Sequence, residues 1–260
     1  MKSTTLIGRA VAALALFLGA LHPSAVAAPG VQRAPATVTA VTPQSTLWRD
    51  PPPPVAAHYE VQVLPARGSA KARRTHAWYF FRDSQRVAVI KGDIEEAWYR
   101  DAQDRVRFER TFHDEQRVVE YSTGELATLG VATDWQPIAT FIDARELALL
   151  KPMAARGGVL RAAPLLVGKV GAATLRVQWM PDLQLPALAE RREADGSRVR
   201  LVLKQSALPA PAAWPQPGIR GVDYLRIDAA DFGDMAQDPT VRKAEAMDVS
   251  IGWRSPQHRH

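Results

Sequence analysis

Apolar and polar residues alternate from His58 onward, in short runs rich in β-branched and aromatic side chains. Clusters of polar residues separate the runs. A period of two with short polar breaks is typical of antiparallel strands joined as a meander. The predicted strands cover residues 59–63, 76–81, 86–90, 95–100, 105–112 and 117–121.

The loop at Ala102-Gln103 allows the register of one hairpin to be predicted. With these two residues as the loop, Tyr99 and Phe108 share an apolar face and Trp98 falls on the polar face. Across the next turn, Tyr121 joins the apolar face. This arrangement gives the sheet one face that packs against the core and one face that is exposed to solvent.

Residues 175–203 predict a strand, a Pro-bracketed loop, a second strand, a tight turn and a third strand. Asp195-Gly196 is the strongest turn signal in the chain, because both residues tolerate a positive φ. A two-residue turn there pairs Glu193 with Arg198. The residues then expected on the core side are Leu188, Val199, Leu201 and Leu203.

Helical spacing replaces the alternation near Thr133. Asp134 is a candidate N-cap, and Asp143 opens a second capping signal. We predict two short helices that meet near Ile142, the second ending around Lys151-Pro152. Their apolar positions are Trp135, Ile138, Phe141 and Ile142.

The pattern becomes irregular from about residue 206, and four prolines within 207–218 predict an irregular crossing. A strand is expected at 223–228. Asp238-Pro239 predicts a short helix, with the N-cap and N1 proline in the usual order. A last strand is expected at 247–253.

The N-terminus has the features of a secretory signal peptide, predicted to cover residues 1–28. Lys2 and Arg9 flank the start of a short apolar run, and Ala25-Val26-Ala27 fits the A-x-A cleavage pattern. An uncleaved membrane anchor is the alternative. We expect cleavage near Ala27 or Ala28, a periplasmic mature protein and no transmembrane segment in the mature chain.

Residues 29–57 are rich in proline, including Pro51 to Pro54, and predict a semi-rigid linker. The segment is either a tether or strap, or a ligand for a proline-recognition domain. Residues 58–260 are predicted to form a single β-rich domain, with the irregular C-terminal extension beginning at about 206. A chain of this length can bury a core of its own.

Cysteine is absent, which excludes disulfides, thiol catalysis and thiolate metal sites. Without Lys2 and Arg9 the 33 basic residues become 31, against 27 acidic residues. The charges are interspersed, and no basic block with interleaved aromatics points to nucleic acid. We therefore expect no nucleic-acid partner.

The sequence gives little support for a hydrolase with a serine nucleophile. No G-x-S-x-G motif is present, and Ser84, Ser122 and Ser197 resemble turn or strand-end residues. The members of a Ser-His-Asp triad can come together from distant positions in the sequence, so an esterase-like hydrolase is kept as an alternative. No catalytic residue is assigned.

Five aspartates surround Phe232-Gly233 near the C-terminus. Such a cluster is compatible with calcium, although its spacing does not fit the EF-hand loop. A turn followed by a helix N-cap accounts for most of these residues and is the favoured interpretation. No metal ligand or cofactor is assigned. The aspartates are Asp223, Asp228, Asp231, Asp234 and Asp238.

Seven tryptophans are present. They can serve as core packing, or they can line an apolar concavity of a curved sheet that does not close. In the second case the helices near Ile142 would cover the concavity.

The order of these elements resembles the periplasmic lipoprotein-localisation and sigma-regulator superfamily, whose members are LolA-, LolB- and RseB-like. The resemblance covers roughly residues 58–205 and includes the pattern Trp179-x-Pro181-x-Leu183-x-Leu185-Pro186 before the Asp-Gly turn. It implies a half-open β-barrel around a helical plug, binding acyl chains or a protein partner. The chain lacks the lipid-anchor cysteine of the LolB-like members, so it is more similar to the soluble carriers of the superfamily.

The sequence thus predicts a mainly β (α+β) fold, a curved antiparallel sheet or half-open barrel with a short helical plug. The expected function is non-enzymatic binding of an apolar or acylated ligand, such as a lipid or lipoprotein. A protein-binding regulator of the envelope is the alternative. The predicted ligand-binding residues are Tyr99, Phe108, Tyr121, Trp135, Ile138, Phe141, Ile142 and Trp179.

Overall fold

The computed structural model describes residues 48–70, 72–153, 164–218, 221 and 223–255. The predicted signal peptide and most of the predicted linker lie outside the described residues.

The described chain is mainly β, as predicted, with one open twelve-stranded sheet and a few short helices. The strand order is β12-β6-β5-β4-β3-β2-β1-β11-β10-β9-β8-β7. All neighbours are antiparallel except β12, which runs parallel to β6. The strands are β1 (Val55–Leu64), β2 (Arg74–Arg82), β3 (Arg86–Lys91), β4 (Ile94–Arg100), β5 (Val106–Phe112), β6 (Arg117–Tyr121), β7 (Lys151–Met153), β8 (Leu165–Val170), β9 (Ala173–Met180), β10 (Leu185–Arg192), β11 (Arg198–Ala207) and β12 (Leu225–Asp228).

Within the described residues, four α-helices and one 3₁₀-helix accompany the sheet. Ser122 forms a capping box with Glu125 at the first helix, which the sequence analysis missed. The predicted pair of short helices is present, and its second member ends at Ala148, before Lys151-Pro152. The helices are α1 (Thr123–Thr128), α2 (Trp135–Thr140), α3 (Ala144–Ala148), the 3₁₀-helix (Ala229–Gly233) and α4 (Pro239–Ser250).

One face of the sheet, here called the core face, carries most of the buried aromatic residues. Tyr59 lies opposite Trp78, and Phe108 lies between Trp98 and Tyr121 on the neighbouring strands. All five side chains are buried. Alternation along each strand places these residues together, because successive side chains point to opposite faces.

The predicted register of the β4–β5 hairpin is wrong by one residue. Arg100 pairs with Val106, so Trp98 lies opposite Phe108 on the core face and Tyr99 lies on the other face. The loop is longer than two residues because Asp101 organises it. Its carboxylate accepts hydrogen bonds from the backbone N–H groups of Gln103 (2.8 Å) and Arg105 (2.9 Å).

The Asp195-Gly196 turn also differs from the prediction by one residue. The backbone N–H of Glu193 bonds to the carbonyl of Ser197 (2.9 Å), and Arg192, rather than Glu193, pairs with Arg198. Gly196 takes the left-handed conformation at φ 85°. Val199 and Leu201 lie in the core as predicted, but Leu188 pairs with Val202 outside it.

The C-terminal extension is more regular than predicted. Asp238 caps α4 by accepting hydrogen bonds from the N–H groups of Thr240 and Val241, as expected. The helix continues through Ser250, so the predicted strand at 247–253 is wrong. The Pro-rich segment before β12 crosses the outer face, where the ring of Trp214 contacts those of His58 and Tyr79.

β1 begins at Val55, three residues before the predicted start of the domain. The first three residues of β1, Val55, Ala56 and Ala57, therefore lie inside the segment that was predicted to be a linker, and all three are buried. The final prolines of that segment lie against the domain, since Pro53 is joined to Arg82 by hydrogen bonds.

Candidate functional site

The helices α2 and α3, with the residues between and after them up to Leu150, cover one half of the core face. This segment, residues 135–150, is called the plug below. Its side chains enter the same apolar core as Tyr59 and Phe80 of the sheet. The apolar residues of the plug that become buried are Trp135, Ile138, Ala139, Phe141, Ile142, Leu147 and Leu150.

Phe141 of the plug has a strained backbone. Its side chain is fully buried, with ring centroids 5.5 Å from Tyr59 and 4.6 Å from Phe80. Its φ of 66° lies in the left-handed region, which disfavours a bulky side chain. Such a conformation costs on the order of 1–3 kcal/mol, and it persists only where the surroundings enforce it.

Arg82 connects the plug to two other parts of the chain. Its guanidinium donates to the carbonyl of Ala139 in α2 (2.6 Å), to that of Leu183 before β10 (2.6 Å) and to that of Pro53 (2.7 Å). Burial lowers the pKa of Arg82. The polar attachment of α2 to the sheet thus uses backbone carbonyl acceptors, which carry no full charge.

A second cover lies over the other half of the core face. It comprises the 3₁₀-helix, α4 and the residues up to Arg254, and is called the C-terminal cover below. Trp253 brings its ring centroid within 5.2 Å of Phe108 and 5.8 Å of Trp98. Phe232 contacts Tyr121 at 6.0 Å.

Ion pairs buried between the sheet and α4 attach this second cover. Arg110, which is fully buried, donates to Asp248 of α4 (2.8 Å) and to Glu96 of β4 (3.2 Å). Glu96 also pairs with Lys91, and the hydroxyl of Tyr121 donates to Asp248 (3.0 Å). Lys91 and Arg110 thus lie beside Glu96 and Asp248 in the core, and Arg254 at its edge donates to Asp248 (3.2 Å).

The pKa shifts in this cluster reflect the pairing. Burial acts to lower the pKa of Arg110, but the charges of Tyr121, Asp248 and Glu96 raise it above its ordinary value. Burial acts to raise the pKa of Glu96, and the neighbouring Lys91 and Arg110 hold it below its ordinary value. Arg110 and Glu96 are therefore kept charged by their partners.

The structure brings seven of the eight predicted ligand-binding residues into one core cluster. Trp135, Ile138, Phe141 and Ile142 come from the plug, and Phe108, Tyr121 and Trp179 come from the sheet. Tyr99 lies on the outer face, where its hydroxyl donates to Glu109 (3.2 Å) and the guanidinium of Arg107 stacks on its ring.

The plug and the C-terminal cover contact different aromatic residues of the sheet. The ring of Phe141 contacts Tyr59 and Phe80, whereas Phe108 and Tyr121 contact Trp253 of the C-terminal cover. Alternation in the first strand was the signal that could have identified Tyr59. The run of four aromatic residues at 78–81 hides the alternation that would identify Phe80.

Four tryptophans place their indole N–H groups in the core without a hydrogen-bond partner among the described residues. Buried donors in folded proteins normally have a partner. The indoles therefore offer unused donors within an otherwise apolar region. The four are Trp78, Trp98, Trp135 and Trp179.

Serine and aspartate residues that the sequence offered as candidates for catalysis or metal binding have local structural roles. Ser122 caps α1, and the hydroxyl of Ser197 donates to Asp195 (2.6 Å). Asp228 caps the 3₁₀-helix and Asp238 caps α4. Within the described residues, no group of three His, Asp or Glu side chains is arranged to hold a metal ion.

No family model matches this chain, and no curated protein matches it. Solved structures match it distantly. PNGF-II matches at 14% identity over 72% of this chain and 33% of that chain, with a TM-score of 0.37. The MucA/MucB complex of Pseudomonas aeruginosa matches at 17% identity over 61% of this chain and 54% of that chain, with a TM-score of 0.31.

A LolA superfamily protein from Nitrosomonas europaea matches at 12% identity over 66% of this chain and 96% of that chain, with a TM-score of 0.25. The superfamily named from the sequence is thus represented among the structural neighbours, as a distant match. This chain spans a third of the PNGF-II chain and about half of the MucB chain.

None of the described helices has the length and apolar character required to cross a membrane.

Proposed function

We propose that this chain is an exported, non-enzymatic binding protein of the periplasm that holds an apolar or acylated ligand on the core face, in the place of the plug. The observation that carries the proposal is Phe141, a bulky apolar side chain held in a strained backbone conformation between two aromatic rings. Strain of this kind clusters at functional sites.

Replacement of the Phe141 side chain by an acyl chain is energetically reasonable. Exposing a buried Phe side chain costs about 1.5–3 kcal/mol, and each buried methylene contributes about 0.8 kcal/mol. A chain of roughly four methylenes in the same place therefore offsets the loss of Phe141. Relief of the left-handed conformation favours the exchange further.

The unpaired indoles favour an acylated ligand over a plain hydrocarbon. The ester or amide oxygens of such a ligand would accept hydrogen bonds from the buried N–H groups of Trp78 or Trp135. An unsatisfied buried donor costs on the order of 1–3 kcal/mol, so its pairing would add to affinity.

The test is binding of a fluorescent fatty acid to the purified mature protein and to the variant Phe141→Gly. Glycine accepts the left-handed conformation and leaves the space between Tyr59 and Phe80 open. We expect Phe141→Gly to bind the probe about tenfold more tightly than the wild type.

The matched control is Phe112→Ala, which removes an equally buried aromatic ring beneath the C-terminal cover. We expect its affinity for the probe to stay at the wild-type value. Absence of binding in every variant, or equal gains in both variants, would contradict the proposal.

A protein-binding regulatory role is the second candidate. It is favoured by two exposed large apolar side chains, Leu149 at the end of the plug (60% exposed) and Met153 in β7 (45% exposed). Exposed apolar groups of this kind contribute to protein contacts when they adjoin one another. The double variant Leu149→Ser/Met153→Ser should lose co-purification of a periplasmic partner and keep fatty-acid binding.

A further inference from the structure

A pocket of 220 Å³ lies where β1 ends and β2 begins, beside the β10–β11 hairpin. A water molecule occupies about 30 Å³ of liquid, so the pocket has room for roughly seven groups of that size. That volume suits a short stretch of an alkyl chain. The apolar part of its wall consists of Val63, Leu64, Pro65, Ala72 and Val199.

The polar part of the wall is predominantly cationic. Arg74, Arg191 and Arg198 line the pocket, and Glu193 is the acidic residue among its lining residues. The side chains of Arg74 and Arg198 form no hydrogen bond or ion pair with the described residues. Arginine without a carboxylate partner beside an apolar wall is suited to an anion attached to an alkyl chain.

His76 adds a buried polar group to the same wall. Its Nε2 atom has no hydrogen-bond partner in the described part of the chain. Burial, and then the charge of Arg74, lower the pKa of His76, so that its imidazole is neutral. A neutral imidazole can donate one hydrogen bond to an anionic oxygen without carrying a charge.

The pocket also adjoins the plug through Arg191. The Arg191 guanidinium lies 3.6 Å from the carboxylate of Glu146 in α3 and 2.9 Å from that of Glu193. A negatively charged group that enters the pocket would compete with Glu146 for Arg191. Occupation of the pocket would therefore weaken one polar attachment of the plug.

We propose that this pocket binds the anionic head and first carbons of a single-chain amphiphile, whose head is a carboxylate or a phosphate. The proposal deepens the function proposed above and rests on it, because the remainder of the same chain would displace the plug. The recognising groups are Arg74, Arg198 and His76, with Arg191 shared between the ligand and Glu146.

The experiment measures, by calorimetry below their micellar concentrations, the binding of four ten-carbon amphiphiles to the full mature chain. These are decanoate, decyl phosphate, decanol and decyltrimethylammonium. We expect the two anions to bind at least tenfold more tightly than the alcohol and the cation. The tighter of the two anions identifies the natural head group.

The double variant Arg74→Gln/Arg198→Gln should lose about tenfold to a hundredfold in affinity for the preferred anion, as expected for charge-assisted hydrogen bonds. The control Arg242→Gln changes an exposed arginine of α4 and should bind as the wild type does. The affinity of the wild type for the anion should also fall on raising the salt concentration.

Equal affinity for anion, alcohol and cation, or an unchanged affinity in the double variant, would overturn the proposed pocket. In that case the gain in probe binding by Phe141→Gly would still support a carrier with a different head-group site. If no amphiphile binds and Phe141→Gly has no effect, both proposals fail.

Discussion

The plug and the C-terminal cover lie on the same face of one sheet, but different chemistry attaches them. The plug inserts Phe141 between Tyr59 and Phe80, and its helix α2 accepts a hydrogen bond from Arg82 through a backbone carbonyl. The C-terminal cover inserts Asp248 into a buried network with Arg110.

This difference determines which cover can be replaced. Apolar contacts are non-directional, so a ligand of suitable shape can replace one set with another. The Glu146–Arg191 ion pair of the plug would also separate, but both of its side chains keep 16% of their surface exposed, so neither charge would be enclosed in the core. Separation of Asp248 from Arg110 would leave two charges in the core, which is strongly unfavourable. The plug is thus the exchangeable cover, and the C-terminal cover is a fixed part of the domain.

The largest expected effect is on the fixed cover. Asp248→Ala leaves the fully buried Arg110 without its α4 carboxylate, and we expect the free energy of unfolding to fall by about 3–5 kcal/mol. Urea denaturation followed by tryptophan fluorescence measures this change. The exposed Asp234→Ala should change stability by less than about 0.5 kcal/mol, and a similar value for Asp248→Ala would remove the distinction between the covers.

A smaller effect separates two variants of the plug. Both Phe141→Ala and Phe141→Gly lose the buried ring, but only glycine takes φ of 66° without strain. We expect Phe141→Gly to be more stable than Phe141→Ala by about 1 kcal/mol. At Phe112, within a strand, the order should reverse, because glycine weakens a strand. A Phe141→Ala variant that is as stable as Phe141→Gly, or more stable, would show that Phe141 is unstrained.

The smallest effect concerns the ion pair between plug and sheet. Burial raises the pKa of Glu146 above its ordinary value, and the positive charge of Arg191 offsets part of this rise. The folded protein therefore binds the Glu146 proton more tightly than the unfolded chain does, and stability falls as pH rises from the ordinary Glu value through the raised value.

Glu146→Gln should remove that pH dependence and change stability by less than about 1 kcal/mol. Thermal unfolding between pH 4 and pH 7 in the two proteins tests this, since about pH 4.3 is the ordinary value for Glu. A steeper loss in the variant than in the wild type would contradict the account.

The sequence was sufficient to predict the mainly β fold, the two short helices of the plug and the cap at Asp238. Alternation and capping are local signals, and they survive in a single chain. The register of the paired strands was harder to predict. The predicted registers of both hairpins were wrong by one residue, because the loops are longer than two residues. In each loop a backbone N–H, that of Gln103 or Ser197, donates to the carboxylate of Asp101 or Asp195.

The division of the core face between two covers could not have been predicted. It depends on the salt bridge between Arg110 and Asp248, which are far apart in sequence and match no local pattern. The error for Tyr99 followed from the register, since a shift of one residue moves every side chain of the strand to the opposite face. Phe141 was identified by helical spacing, while its strained φ was not visible in the sequence.

Amide hydrogen exchange with and without decanoate tests the central claim most directly. The backbone N–H of Phe141, which bonds to the carbonyl of Pro137 (2.9 Å), reports the plug, and that of Arg242, which bonds to Asp238 (3.1 Å), reports the C-terminal cover. We predict that decanoate accelerates exchange at Phe141 and leaves Arg242 unchanged. Exchange that slows or stays the same at Phe141, or accelerates equally at both amides, would contradict displacement of the plug.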